Sequence, residues 1–484
     1  MTHSSSDQAH RLAELERLAR RLDPDDLQRR SDGGRVMDYA GAYLDAVDDA
    51  PAYQRSDDLA AGLLDHPVAE EGVGLERALD LIERFVDREG IGTTSGRFTG
   101  YIPGGGLFHA ALGDFLAAIS NRYAGVFFAS PGAVRIENQM VRWMADLAGM
   151  PDSSSGYLSA GGSGATLSAV VTARDAHGIE GEAIPRAVVY TTEHVHHCAE
   201  KAMRVAGLRG VQWRHVAVDD GYRMRPDALE AAIRSDREDG LVPWMLLASA
   251  GTVNTGSIDP LDALAGIAAR EKLWLHVDAA YGGFFLLTDE GRDKLAGIQR
   301  ADSIVMDPHK TLFLPYGTGA LLVRDGQLLQ QAHGGDAAYL QDTESTREED
   351  SPAELSPELT RHFRGLRMWL PLQVFGLAPF RAALAEKLLL ARYFHSQMAA
   401  SNTFETGPVP DLSVVIFRLI GDDERNKRLI EAIQRDGRIF LSSTRLDGKF
   451  MLRMAAVCHR THLADIDTTI QILHELAADI LIQS

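Results

Sequence analysis

The chain has 484 residues, 45% of them hydrophobic and 24% charged, enough for one large domain with at least one smaller companion. Its formal net charge of −19 repels phosphate backbones and anionic lipids, which argues against nucleic acid and membrane partners. Cys198 and Cys458 are the two cysteines, far apart and in no metal-type spacing, so neither a disulfide framework nor a zinc site is expected and a reducing compartment fits. The N-terminal stretch is polar and no apolar run reaches spanning length, so a cytoplasmic protein is expected.

Residues 1–35 are charged and Arg/Asp-rich, and read as one surface helix followed by a mobile stretch. From 36 to about 90 the pattern is helical, with apolar residues at three- and four-residue steps in LERALDLIERFVDRE. The cluster IPGGG at 102–106 breaks the chain before a helix at 107–120. Helical stretches at 134–150, 164–176, 198–206, 225–235 and 260–271 then alternate with the short apolar runs AVVYTT, WRHVAV, WMLLASA, LWLHVDAA, SIVMD and GALLVRD. That alternation predicts an α/β fold, a parallel or mixed sheet flanked by helices, with ligands at the carboxyl ends of the strands. Residues 334–362 are acidic, polar and aperiodic, and a loop that long within a compact fold is functional or disordered. Helical patterns return at 363–401, and SVVIFRLI, RIFLSST and KFMLRMAAV with a last helix at 463–483 predict a small α/β domain. The expected division is a helical segment over 1–105, a large domain over 106–385 and a small one over 386–484.

Four stretches carry chemistry. In SIVMDPHKTLFLPYGTG a strand ends at Asp307 and Pro308 stops it, leaving His309 and Lys310 at its carboxyl end. Leu312, Phe313 and Leu314 would desolvate the Lys310 amine and ease the loss of its proton, as a Schiff base requires. Taken alone, a lysine after a strand is an ordinary surface residue. Asp278 closes the apolar run LWLHVDAA, where an unpaired carboxylate is costly; a pyridinium nitrogen would pair with it, and an N-cap or structural aspartate is the plainer alternative. The small pair Ala279–Ala280 would let a flat ring lie close to the backbone. SAGGSGATL at 159–167 opens a helix with exposed backbone N–H groups, a place for a phosphate. His196, in TTEHVHHCAEKA, follows another strand; no Cys or carboxylate set completes a metal site around its neighbours, and stacking on a planar cofactor accounts for it better.

In this order and spacing, HVDAAYGG (276–283), DPHK (307–310), SAGGSGATL (159–167) and FRGLRMWLPL (363–372) resemble the group II pyridoxal-phosphate-dependent amino acid decarboxylases, from about residue 36 on. The resemblance implies an aspartate aminotransferase-type fold (fold type I) with a large mixed-sheet domain, built as a homodimer with active sites at its interface. It implies pyridoxal 5′-phosphate on Lys310, Asp278 opposite the pyridine nitrogen and His196 stacked on the ring. By the same resemblance Gly162, Ser163 and His309 contact the phosphate, Thr252 lies on the cofactor's other flank and Ala280 packs under the ring. Tyr101, in a pocket-lining segment at 98–104, is similar to a substrate contact, and Arg453 to an arginine near the substrate carboxylate. Two departures stand out. Asp307 replaces an asparagine common in the family, and is expected to point away from the phosphate. A tyrosine of the mobile loop that protonates the substrate carbon falls, in a gap-free count, on Pro352, which leaves Tyr339 as the loop's only tyrosine. The implied reaction is decarboxylation of an L-amino acid, aromatic by first preference, to an amine. A decarboxylation-dependent oxidative deaminase or a carbon–carbon lyase would use the same residues, and a catalytically silent relative is a further alternative.

Overall fold

The computed structural model describes residues 5–56, 58–102, 104–335 and 349–482. The chain forms two compact units, residues 1–92 and 93–484. In the first, a helix at Ser5–Ala19 is followed by a second at Asp26–Asp45, where a mobile stretch was expected. The reason is a cap: the Asp25 carboxylate accepts from the Gln28 backbone N–H, and the helix starts behind it despite Gly33 and Gly34. The expected continuous helical pattern over 36–90 is interrupted. Beyond residue 45 come turns, the short strand β1 (Tyr53–Gln54) paired antiparallel with β2 (Gly90–Ile91), and one further α-helix, Leu75–Ile82. Pro51, Pro67, Gly72 and Gly74 break the periodicity in between.

The second unit is built on a seven-stranded sheet of β3 (Ser155–Ser159), β4 (Ala187–Thr191), β5 (Gln212–His215), β6 (Val242–Ser249), β7 (Trp274–Asp278), β8 (Ser303–Met306) and β9 (Gly319–Val323). Their spatial order is β3-β9-β8-β7-β6-β4-β5, parallel throughout except that β9 runs against both neighbours. β3 escaped the sequence reading, because SGYLS has only two apolar residues and earns its place by pairing with β9. The central strands are buried on both faces, and alternate residues feed two cores. Val188, Tyr190, Leu246, Leu275 and Ile304 face one, under helices Pro226–Glu238 and Leu261–Glu271. Val189, Met245, Leu247 and Val305 face the other, under helices Gly162–Ala176 and Cys198–Val205. β3, β4, β6, β7 and β8 therefore end on one side of the sheet. A smaller antiparallel sheet, order β10-β11-β13-β12, joins β10 (Phe404–Thr406), β11 (Val414–Leu419), β12 (Ser442–Leu446) and β13 (Lys449–Ala455), with helix Leu463–Ile482 sharing its core. Among the described residues no helix is long and apolar enough to cross a membrane.

Candidate active site

Five strand ends open into one cavity of about 370 Å³. Gly162, Ser163, His196, Thr252, Asp278, Ala280, His309 and Lys310 all line it, although they come from five separate stretches of chain. β3 delivers the turn Ala160–Gly161, and helix Gly162–Ala176 begins there with its first N–H groups free of helical partners. β4 leads to His196, whose Nδ1 accepts from the Cys198 N–H at 3.3 Å. β6 leads to Gly251 and Thr252; a Cβ on Gly251, at φ +108°, would stand 2.7 Å from the Tyr281 ring, so only glycine fits. The Thr252 hydroxyl is fixed by Thr255 at 2.7 Å. β7 ends on Asp278, whose Oδ1 accepts from the Ala280 N–H at 3.1 Å.

β8 supplies the lysine. Pro308 starts a single helical turn, Pro308–Thr311, which carries Lys310 back over the strand end. Burial pulls the ammonium toward neutrality, as the apolar neighbours imply, but it does not prevail. Asp307, at 2.9 Å, and the Asp278 carboxylate outweigh it, so Lys310 is held above the ordinary lysine value. Asp307 does not point away from the site. Its carboxylate is 2% exposed, turned inward between Lys310 and the glycine turn, and its Oδ1 has no hydrogen-bond partner. Burial lowers His196, His194 and His309 below the usual histidine range and pushes the Cys198 thiol up to about 12.

Two residues named from the sequence, Arg453 and Tyr101, do not line this cavity. Arg453 is 3% exposed and donates to the Asn254 carbonyl (3.0 Å), the Ser442 hydroxyl (2.7 Å) and the Val253 carbonyl, bracing the chain just beyond Thr252. Tyr101 is exposed, in the left-handed region at φ +53°, and its N–H donates to the same Ser442 hydroxyl. Tyr339 lies outside the described residues. Pro352, the gap-free loop position, opens a buried turn, and the next residue, Ala353, donates to the Gly125 carbonyl at 2.9 Å. The sequence reading missed His194, Cys198, Thr166 and Tyr281, which also line the cavity. Position could have found three of them, since His194 and Cys198 each stand two residues from His196 and Tyr281 follows Ala280.

The lining fits pyridoxal phosphate. Free backbone donors at a helix start suit a phosphate, a carboxylate at the opposite strand end suits a ring nitrogen, and an amine stands between them. Asp307, with its unpartnered oxygen, is the one member whose charge runs against that fit.

A cavity of this kind, at the strand ends of a mostly parallel sheet and built around a lysine between two acids, defines a cofactor-dependent enzyme. The conserved domain described as "Pyridoxal-dependent decarboxylase conserved domain" matches residues 64–420. An aromatic-L-amino-acid decarboxylase of Bacillus atrophaeus is 31% identical, with 94% of this chain and 96% of that one covered. A phenylacetaldehyde synthase of Arabidopsis thaliana is 28% identical, covering 94% and 97%. The crystal structure of Oryza sativa TDC with PLP and tryptamine superposes with a TM-score of 0.89 at 25% identity, over 95% of this chain and 99% of that one. The chain belongs to the pyridoxal-dependent decarboxylase family. It has the fold type I architecture, uses pyridoxal phosphate and is an amino acid decarboxylase.

Proposed function

We propose that the enzyme decarboxylates an aromatic L-amino acid to the corresponding amine. The observation that carries this reading is the convergence of Lys310, Asp278, His196 and the Gly162 turn on one cavity. The aromatic preference is supported by the relatives whose names specify aromatic substrates, and by an aromatic group formed by Phe98, Tyr101 and Phe440, with Tyr101 and Phe440 centroids 6.0 Å apart.

When bound, pyridoxal phosphate supplies the electron sink for the pair released as the Cα–carboxylate bond breaks. Lys310 Nζ is the covalent anchor. The Asp278 carboxylate would accept from the protonated ring nitrogen at the opposite end, His196 and Ala280 would wall the slot, and Gly162, Ser163 and His309 would hold the phosphate with Thr252 on the other flank. Arg453 and Tyr101 shape the substrate side through Ser442 rather than from the cavity wall. In a homodimer the substrate pocket would be completed by the second copy. Exposed Phe115, Ile119 and Phe128 near the start of the second unit, and exposed Leu12, Leu15 and Leu27 along the first two helices with Leu22 between them, support such a partner. The two free, buried cysteines suit a cytoplasmic location.

A second reading has its own support. Proline at the loop position where the family places a tyrosine, together with the likeness to an aldehyde synthase, favours aldehyde formation with oxygen as co-substrate. Incubating the purified holoenzyme with phenylalanine, tyrosine, tryptophan, histidine and glutamate, and measuring CO₂, amine, aldehyde and peroxide, decides between them. Amine equal to CO₂ on aromatic substrates is expected. Aldehyde and peroxide in step with CO₂, under air but not under nitrogen, would overturn the amine assignment, and turnover of glutamate alone would overturn the aromatic one.

A further inference from the structure

Asp307 follows β8 in an extended conformation, φ −111° and ψ 98°, and its side chain is 2% exposed. Two glycines make room for it. A Cβ on Gly162 would stand 2.8 Å from Asp307 Oδ2, and one on Gly319 would stand 2.7 Å from Oδ1. The carboxylate thus presses on the first residue of helix Gly162–Ala176, the same end of the cavity whose free N–H groups suit a phosphate.

The surroundings give this acid one cation. Lys310 Nζ lies 2.9 Å from Oδ2, and Oδ1 has no hydrogen-bond partner. His309 Nε2, on the same turn, is 3.8 Å from Oδ2, and burial disfavours its charged form. From helix Cys198–Val205 and the turn before it, Cys198 and His196 face Asp307, the first held as a thiol and the second disfavoured as a cation. From β7, Asp278 competes for Lys310. Arg367 stands behind Thr318, whose hydroxyl accepts from its Nη1 at 3.0 Å, and its charge adds to the forces that keep His309 neutral. A phosphate dianion arriving at the helix start would therefore meet a buried carboxylate whose only close cation is shared with a second acid. Burying two like charges side by side is unfavourable, and one proton removes the conflict while giving Oδ1 a hydrogen to donate.

We propose that Asp307 takes up a proton when the cofactor's phosphate enters, so that cofactor capture is proton-linked through this residue. The inference rests on pyridoxal phosphate being the cofactor and goes beyond it, because it assigns an acid rather than a base to part of the phosphate site.

Binding, not turnover, tests it. The full chain, freed of cofactor, is titrated in phosphate-free buffers with pyridoxal phosphate and with pyridoxal, from about pH 7.5 to 9, where a phosphate monoester stays dianionic. The two probes share the ring and differ at the 5′ position, where one carries the phosphate, so the difference between their pH slopes reads the phosphate. In the wild-type protein the dissociation constant for pyridoxal phosphate should rise more steeply with pH than that for pyridoxal, by about tenfold per pH unit for one proton. In Asp307→Asn the two slopes should coincide. Equal slopes in the wild-type protein would overturn the proposal without any variant, and so would an excess slope that persists in Asp307→Asn, since the proton would then sit on the phosphate itself. Absence of saturable binding of pyridoxal phosphate at every pH would fall on the cofactor assignment, a distinct result that removes this inference with it.

Discussion

Lys310 and Asp278 stand at adjacent strand ends, one an ammonium held charged by its neighbours and the other a carboxylate with a single backbone donor on Oδ1. If Lys310 is the covalent anchor, Lys310→Ala should abolish turnover and leave no borohydride-reducible adduct on the protein, read by mass spectrometry. An adduct retained in the variant would move the anchor elsewhere. Asp278→Asn keeps the shape and removes the charge. It should leave cofactor on the protein but lower the rate per bound cofactor by about 10²-fold or more. An unchanged rate with weaker cofactor binding would make Asp278 a structural residue.

At the scale of elements, the turn at the end of β3 depends on a buried ion pair. Glu137, on helix Pro131–Leu147, accepts from the Leu158 N–H at 2.9 Å and from Arg361 Nη1 at 2.7 Å, while Arg361 also donates to the Leu158 carbonyl. Both side chains are essentially buried, at 1% and 0% exposure. Arg361→Met leaves Glu137 charged without its partner and should cost about 3–5 kcal/mol in urea unfolding. Replacing both, with Glu137→Leu, should recover part of that loss. β7 carries a second marker, His276, whose Nδ1 lies 2.8 Å from the Ser303 hydroxyl on β8 and whose pKa burial pushes down to about 4. The unfolded chain takes up this proton near 6.5, the folded protein only near 4, so the folded state is favoured fully above 6.5 and loses that advantage as pH falls toward 4. The gap is worth about 3 kcal/mol. His276→Gln should therefore flatten the pH dependence of the urea midpoint between those values.

For the whole molecule, the exposed apolar residues of both units make the second copy the issue. Phe115 is 59% and Ile119 71% exposed on one helix, Phe108–Ser120. Phe115→Asp with Ile119→Asp should shift sedimentation from dimer to monomer and lower activity with it. A wild-type chain that sediments as a monomer at assay concentrations would remove the dimer from the proposal.

The alternation of helices and strands was legible along the chain because buried parallel strands write themselves as short apolar runs, and Pro308 and the glycines mark where they stop. The eight residues named for the cofactor were legible as a set of strand ends and helix starts, positions that local sequence encodes, and the structure brings them to one cavity. The edge strands β3 and β10 were not: SGYLS has only two apolar residues and FET is three residues long, so neither signals itself without a partner. Nor was the direction of Asp307, or the charge of Lys310. Desolvation by Leu312 and its neighbours is a local effect and points toward a neutral amine; the opposing pull comes from Asp307 and Asp278 together. Whether Asp307 faces in or out depends on Gly162 and Gly319, which β3 and β9 bring against it from distant parts of the chain. The sequence by itself determined which strand ends and helix starts carry the lysine, the two acids and the glycine turn of the cavity. Only the tertiary structure decided their charge, because a Coulomb interaction is set by separation in space and by the water that packing removes.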